Sequence, residues 1–143
     1  MANHAEKPGR TDIDWSNTLN NYVGLLGDDL LSNRPRLVIT FGSFAFEFTR
    51  RACGLESNAY GKWDTKTLGN QFRNAIENFD TTPITILPLL HTSIARRGFM
   101  TAHAHFVGID GGESPNYFEY VGAQLCKLFS SKFVDSKVWI TDN

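Results

Sequence analysis

The sequence predicts an α/β protein of three layers, α/β/α, built around a parallel sheet. Three observations carry that expectation. Two short, nearly continuous apolar runs rich in branched residues, 36–41 and 84–90, have the composition of strands buried on both faces. Segments of helical periodicity flank and separate them. The resulting order, α-β-α-α-β-loop-α, joins the strands through helices, as right-handed parallel crossovers require. Two strands are few for such a sheet, so the chain reads as part of a larger, truncated one.

Residues 1–12 are polar and read as a flexible tail, leaving residues 13–143 as one α/β domain. Trp15, Leu19, Tyr22, Leu26 and Leu30 then recur at steps of three and four, one face of a helix that Asp12 or Asp14 can cap. Asn33-Arg34-Pro35 ends it, because the residue before proline avoids the helical region. Strand 36–41 follows, then Gly42-Ser43 turns into a helix with the stripe Phe44, Phe48 and Ala52 and with Gly54 as its C′ residue. Residues 55–64 read as a polar loop. Asp64 or Thr65 caps a third helix, whose apolar face is Leu68, Phe72, Ile76 and Phe79, and Asp80-Thr81-Thr82-Pro83 stops it. Strand 84–90 carries Pro88, which places that residue near the strand end. Residues 91–112 read as a long loop. Ser114 as N-cap and Pro115 at the first helical position open a last helix with the face Phe118, Val121, Leu125 and Leu128. Residues 137–141, Lys-Val-Trp-Ile-Thr, suit a short edge strand or a tail docked by Trp139.

Composition narrows the function classes. Fourteen basic residues against fifteen acidic ones supply no whole-protein field for nucleic acid, so any such binding must come from a local patch. No apolar run approaches the roughly 20 residues of a membrane span, and the polar N-terminus lacks a secretory h-region. A soluble, cytoplasmic protein is expected. Cys53 and Cys126 are too few for a disulfide framework and read as buried reduced thiols.

Ligands of open parallel sheets bind outside the carboxyl ends of the strands. One strand ends in Gly42-Ser43-Phe44, the other in His91-Thr92-Ser93, so both should meet at one sheet edge. Residues 81–109 contain no Asp or Glu but hold His91, Arg96, Arg97, His103 and His105, a local positive island suited to a phosphate. The same arginines also suit a solvated loop paired with surface carboxylates. Ser43 follows a strand like a nucleophile elbow, yet its string is not G-x-S-x-G and a helix N-cap fits it better. A metal held by His91, His103 and His105 is a rival reading, without an acidic or thiolate ligand in the loop, and no metal or cofactor is expected.

These same residues resemble a family. Leu37 to Ala45 (Leu-Val-Ile-Thr-Phe-Gly-Ser-Phe-Ala), Leu87 to Ser93 (Leu-Pro-Leu-Leu-His-Thr-Ser), Arg97-Gly98-Phe99, His105-Phe106 and a closing helix are similar to the C-terminal half of uracil-DNA glycosylases. The likeness runs over about residues 15–129 and is weakest across 55–80. It implies a partial uracil-DNA-glycosylase-like fold acting in DNA repair, a hydrolase of N-glycosyl bonds. By position, His91 matches the histidine that donates a hydrogen bond to the departing uracil oxygen. Ser43 and Ser93 match serines that grip DNA phosphates, and Arg97 lies where the loop flanks the minor groove. With Arg96 and His105 they form the expected DNA-binding set. The family's His-Pro-Ser-Pro-Leu-Ser loop is His-Thr-Ser-Ile-Ala-Arg here, with Ile94 in place of the wedge leucine. The family's N-terminal half, with its water-orienting carboxylate, its stacking aromatic and its base-reading Asn, has no counterpart before Trp15. Catalysis would then need that half from a second chain, or the sequence is a truncated one. The alternative is a non-catalytic module on the same scaffold, recognising a nucleotide, a small ligand or a protein.

Overall fold

A computed structural model describes residues 15–95, 100–108 and 116–133. The chain is α/β: mostly helical, with one small parallel sheet. Its elements are α1 (Asn17–Asn33), β1 (Leu37–Phe41), α2 (Ser43–Ala52), α3 (Thr65–Glu77), β2 (Thr85–Leu89), α4 (Thr92–Ala95), α5 (Met100–Val107) and α6 (Tyr117–Lys132), with short 3-10 turns at Tyr60–Lys62 and Phe79–Thr81. Strands β1 and β2 pair in parallel, with Leu37 opposite Thr85 and Phe41 opposite Leu89. None of the described helices is long and apolar enough to cross a membrane.

Local chemistry explains most boundaries. Asp64 caps α3, its Oδ1 accepting from the Thr67 N–H at 2.8 Å and from the Thr67 hydroxyl at 2.7 Å. Arg34 closes α1 in the left-handed region at φ 46°, its N–H returning to the Leu30 carbonyl, before Pro35 forbids further helix. Gly54 follows α2 at φ 74°, as the C′ position prefers. The α1 cap differs from expectation: Ser16, not Asp12 or Asp14, accepts from the Leu19 N–H. Asn116 caps α6 through the Phe118 N–H, so the helix starts after the expected Ser114-Pro115, which lies outside the described residues. The tail at residues 1–12 and the segment 137–141 also lie outside them.

The core gathers Phe46, Trp63, Phe72, Leu87, Phe106 and Val121, from α2, the loop after it, α3, β2, α5 and α6, with Leu37 of β1 and Ile94 of α4 packed against it partly buried. Several expected faces are corrected. In α2 the buried residues are Phe46, Glu47 and Thr49. The stripe read from the sequence points elsewhere, with Phe44 lying parallel to Trp15 at 5.6 Å and Phe48 tilted against both rings. Only Leu30 of α1 is buried, and Tyr22 is exposed. In α6 Phe118 is exposed and Tyr117 takes its place inside. The polar loop 55–64 hides Trp63 in the core. Strand β1 is not buried on both faces, since Ile39 and Phe41 are exposed. Cys126 is exposed and Cys53 only half-buried; desolvation raises the Cys53 thiol above its ordinary pKa. The expected long loop contains α4 and α5. Helix α5 fits closely against α3 because Gly69 has no side chain: a Cβ there would stand 2.0 Å from the Phe106 carbonyl oxygen.

Candidate functional site

The two strand ends meet. The Gly42 N–H donates to the Leu89 carbonyl at 2.9 Å, so the chain leaves β1 directly beside the exit of β2. Gly42 adopts φ 88° and caps α2 without a side chain. The His91 side chain lies over it: a Cβ at Gly42 would stand 3.1 Å from the His91 Cβ. Any larger residue would be strained and would also push His91 away. The result is a cleft of about 210 Å³ in which Gly42, Ser43, Phe44, Tyr60, His91 and Ser93 take part. Ser43, His91 and Ser93, named from sequence alone, therefore share one site.

His91 is fixed at both its backbone and its ring. Its carbonyl accepts from the N–H groups of Ile94 and Ala95, at 2.9 and 3.0 Å, starting the short helix α4. Its Nδ1 accepts from the Ser93 N–H at 3.2 Å and lies 2.8 Å from the Ser93 hydroxyl. A backbone N–H can only donate, so Nδ1 is an acceptor and the neutral ring carries its proton on Nε2. The exposed ring thereby presents an N–H donor, oriented by the residue two positions on.

Both serine hydroxyls have protein partners. The Ser43 hydroxyl donates to the Trp63 carbonyl, which ties the 3-10 turn to the start of α2. Ser43 is the first helical residue and not the cap; what it offers the cleft is a backbone N–H without an intrahelical partner. The Ser93 hydroxyl is directed at His91 Nδ1.

The remaining expected residues divide. Arg96 and Arg97 lie outside the described residues. His105 is exposed on α5, away from the cleft lining, and its nearness adds to the depression of the Asp64 carboxyl pKa. The larger causes of that depression are the backbone and side-chain hydrogen bonds from Thr67. His103 stacks on Tyr117, with ring centroids 5.3 Å apart, and its Nε2 lies 3.3 Å from the Ile94 carbonyl. The described residues hold no group of three His, Cys, Asp or Glu side chains able to share a metal, so the trio His91, His103 and His105 does not assemble.

Two supporting residues escaped the sequence reading. Glu47 is 0% exposed. Its carboxylate accepts from Trp63 Nε1 at 3.0 Å, from Arg51 Nε at 2.9 Å and from the Asn58 N–H at 3.0 Å. It thus anchors Trp63, whose carbonyl holds Ser43. Tyr117 is buried beneath the other strand end, where its hydroxyl oxygen accepts from the Leu90 N–H at 3.0 Å, one residue before His91. Burial raises the Tyr117 pKa, and the Leu90 bond partly offsets that rise.

Comparison with known protein families, curated proteins and solved structures found no match to this chain.

Proposed function

We propose that the chain is a uracil-DNA-glycosylase-like protein of the cytoplasm whose cleft receives a nucleotide extruded from DNA, within a three-layer fold equivalent to the C-terminal half of that family. The observation that carries this reading is the His91 ring beside Gly42, with Nδ1 tied to Ser93 and Nε2–H left to donate. A neutral donor aimed at a base oxygen stabilises the charge that develops as a glycosidic bond breaks. Groups at the start of α2 face the same cleft, where unpaired backbone N–H groups favour an anion such as a phosphate. His91 is the catalytic residue in this account. No acidic side chain lines the cleft among the described residues, so the carboxylate that orients water belongs to a completing half, on a separate chain or elsewhere in a longer one.

The second reading, a binding module without chemistry, is favoured by one observation. No acidic side chain takes part in the cleft among the described residues, and the hydroxyls of Ser43 and Ser93 are both directed at protein acceptors. Binding and base release separate the two. A uracil-containing oligonucleotide should bind weakly, with affinity that falls along a shallow slope as salt rises, because few phosphates are neutralised. With a completing chain present, His91→Ala should slow base release by about a hundredfold or more while leaving the fold intact. Binding without release, unaltered by His91→Ala, supports the module. Salt-independent binding, or none at low salt, argues against nucleic acid altogether.

A further inference from the structure

A groove opens at the amino end of β2, bordered by the carboxyl-terminal halves of α1, α2 and α3. It has two compartments of opposite character. One, of about 420 Å³, is apolar, with Leu30, Leu31, Cys53 and Pro83 in its walls. The other, of about 200 Å³, is polar, with Arg50, Gln71, Asn74 and Asn78. Leu55, Thr82, Ile84 and Ile86 line both, so the compartments are continuous. Clefts of about 300–1,000 Å³ hold small-molecule ligands. No residue of the Gly42–His91 cleft takes part in this groove, which lies at the opposite end of β2.

The charge of the polar compartment is unbalanced. Arg50 and Arg51 flank a single carboxylate, that of Glu47, which already accepts from Arg51, Asn58 and Trp63. Arg50 Nε stands 3.7 Å from Glu47 Oε1, beyond hydrogen-bond reach. That atom is buried, yet it has no acceptor among the described residues. Arg50 Nη2 donates to the Glu56 carbonyl at 3.2 Å, a neutral partner, and the guanidinium lies 4.9 Å from the Trp63 ring. A buried cation short of a counter-charge is costly. No acidic side chain lines either compartment among the described residues. Asn74 Oδ1 accepts from Asn78 Nδ2 at 2.8 Å, which leaves the Asn74 amide NH₂ as a donor. A planar carboxylate complements a guanidinium with donors to spare.

We propose that this groove binds a free amphiphilic monocarboxylate, its head on Arg50 and Asn74 and its alkyl chain among Leu30, Cys53, Leu55 and Ile84. A bare anion would use only the polar compartment, and an uncharged apolar molecule only the other. Their continuity fits one ligand that carries both chemistries. An alkyl chain also accounts for Leu31 and Leu55, which border the apolar compartment while 72% and 46% exposed. Desolvation raises the Cys53 pKa, so its thiol is neutral at pH 7 and tolerates an apolar neighbour. The site is independent of whatever the strand-end cleft binds.

Alkylation of the full chain by iodoacetamide, read by peptide mass spectrometry, tests it. Cys53 lines the apolar compartment, and the exposed Cys126 on α6 is the internal control. Decanoate, kept below the concentration at which it forms micelles, should slow Cys53 modification by about tenfold or more at saturation and leave Cys126 unchanged. Octanoate, shorter by two methylenes, should need about tenfold more for the same protection. Decanol lacks the charge and should be weaker by about tenfold or more. Leu55→Asp changes an exposed position, so circular dichroism should not alter, yet it should weaken decanoate by about tenfold or more. Arg50→Gln should bring decanoate down to the level of decanol. Equal protection by acetate or by decanol overturns the proposal, and so does protection of both cysteines alike. Cys53 left unprotected by decanoate, or protected as well in Leu55→Asp as in the unaltered chain, overturns it too.

Discussion

Glu47 offers the sharpest test of how the cleft is held. Glu47→Ala leaves the indole N–H of Trp63 and the backbone N–H of Asn58 without their acceptor, and strips Arg51 of its carboxylate. Removing one partner of a buried ion pair costs about 3–5 kcal/mol. The Arg50 and Arg51 side chains are 16% and 15% exposed and gain some water once released, which favours the lower end, about 3 kcal/mol. With a urea m-value of about 2 kcal/mol/M, the unfolding midpoint should fall by about 1.5 M. Urea titrations followed by circular dichroism measure this directly. Glu47→Gln keeps one carbonyl acceptor and should lose about half as much. A midpoint shift below about 0.5 M for the alanine variant, equivalent to about 1 kcal/mol, would refute the view that this carboxylate anchors Trp63 and, through it, Ser43.

Two further outcomes follow from particular hydrogen bonds. Tyr117→Phe keeps the ring but leaves the buried Leu90 N–H unpaired, so stability should fall by about 1–3 kcal/mol, read by the same titration, and the His91 ring signals should shift in NMR. Asp64→Ala should cost about 1 kcal/mol at neutral pH through loss of the α3 cap. Because hydrogen bonds from Thr67 hold the Asp64 pKa below its ordinary value, the advantage of the wild type is present above the unfolded pKa and should shrink as pH falls through the lower folded one. Thermal melts of both proteins from pH 7 downward give the profile.

The strands were legible in the sequence because their chemistry is local. A branched apolar run ends at Gly42 in one case and at His91 in the other, and parallel pairing brings those ends together. The caps at Asp64 and Arg34 follow from neighbouring residues too. What the sequence hid depends on distant partners. Glu47 reads as a solvated helix charge, and only the approach of Trp63 and Asn58 from the next loop makes burial tolerable. Helix α5 shows no apolar stripe in its Thr101-Ala102-His103-Ala104-His105 stretch, and it packs because Gly69 admits its backbone. The exposed half of β1 was invisible because a strand's composition does not reveal which elements cover it. At the site, the positions of Ser43 and Ser93 could be read from the strand ends, but the direction of their hydroxyls could not.

The central claim of the proposed function is that the His91 Nε2–H is a free donor at the strand-end cleft. Long-range ¹H–¹⁵N correlation of the histidine ring, recorded during titration with a uracil-containing single-stranded oligonucleotide, measures it most directly. The account predicts a neutral ring protonated at Nε2 in the free protein, then saturable shifts concentrated at His91, Ser93 and the Gly42–Ser43 turn. A ring protonated at Nδ1, or shifts that leave His91 and Gly42 unmoved at saturation, would contradict it.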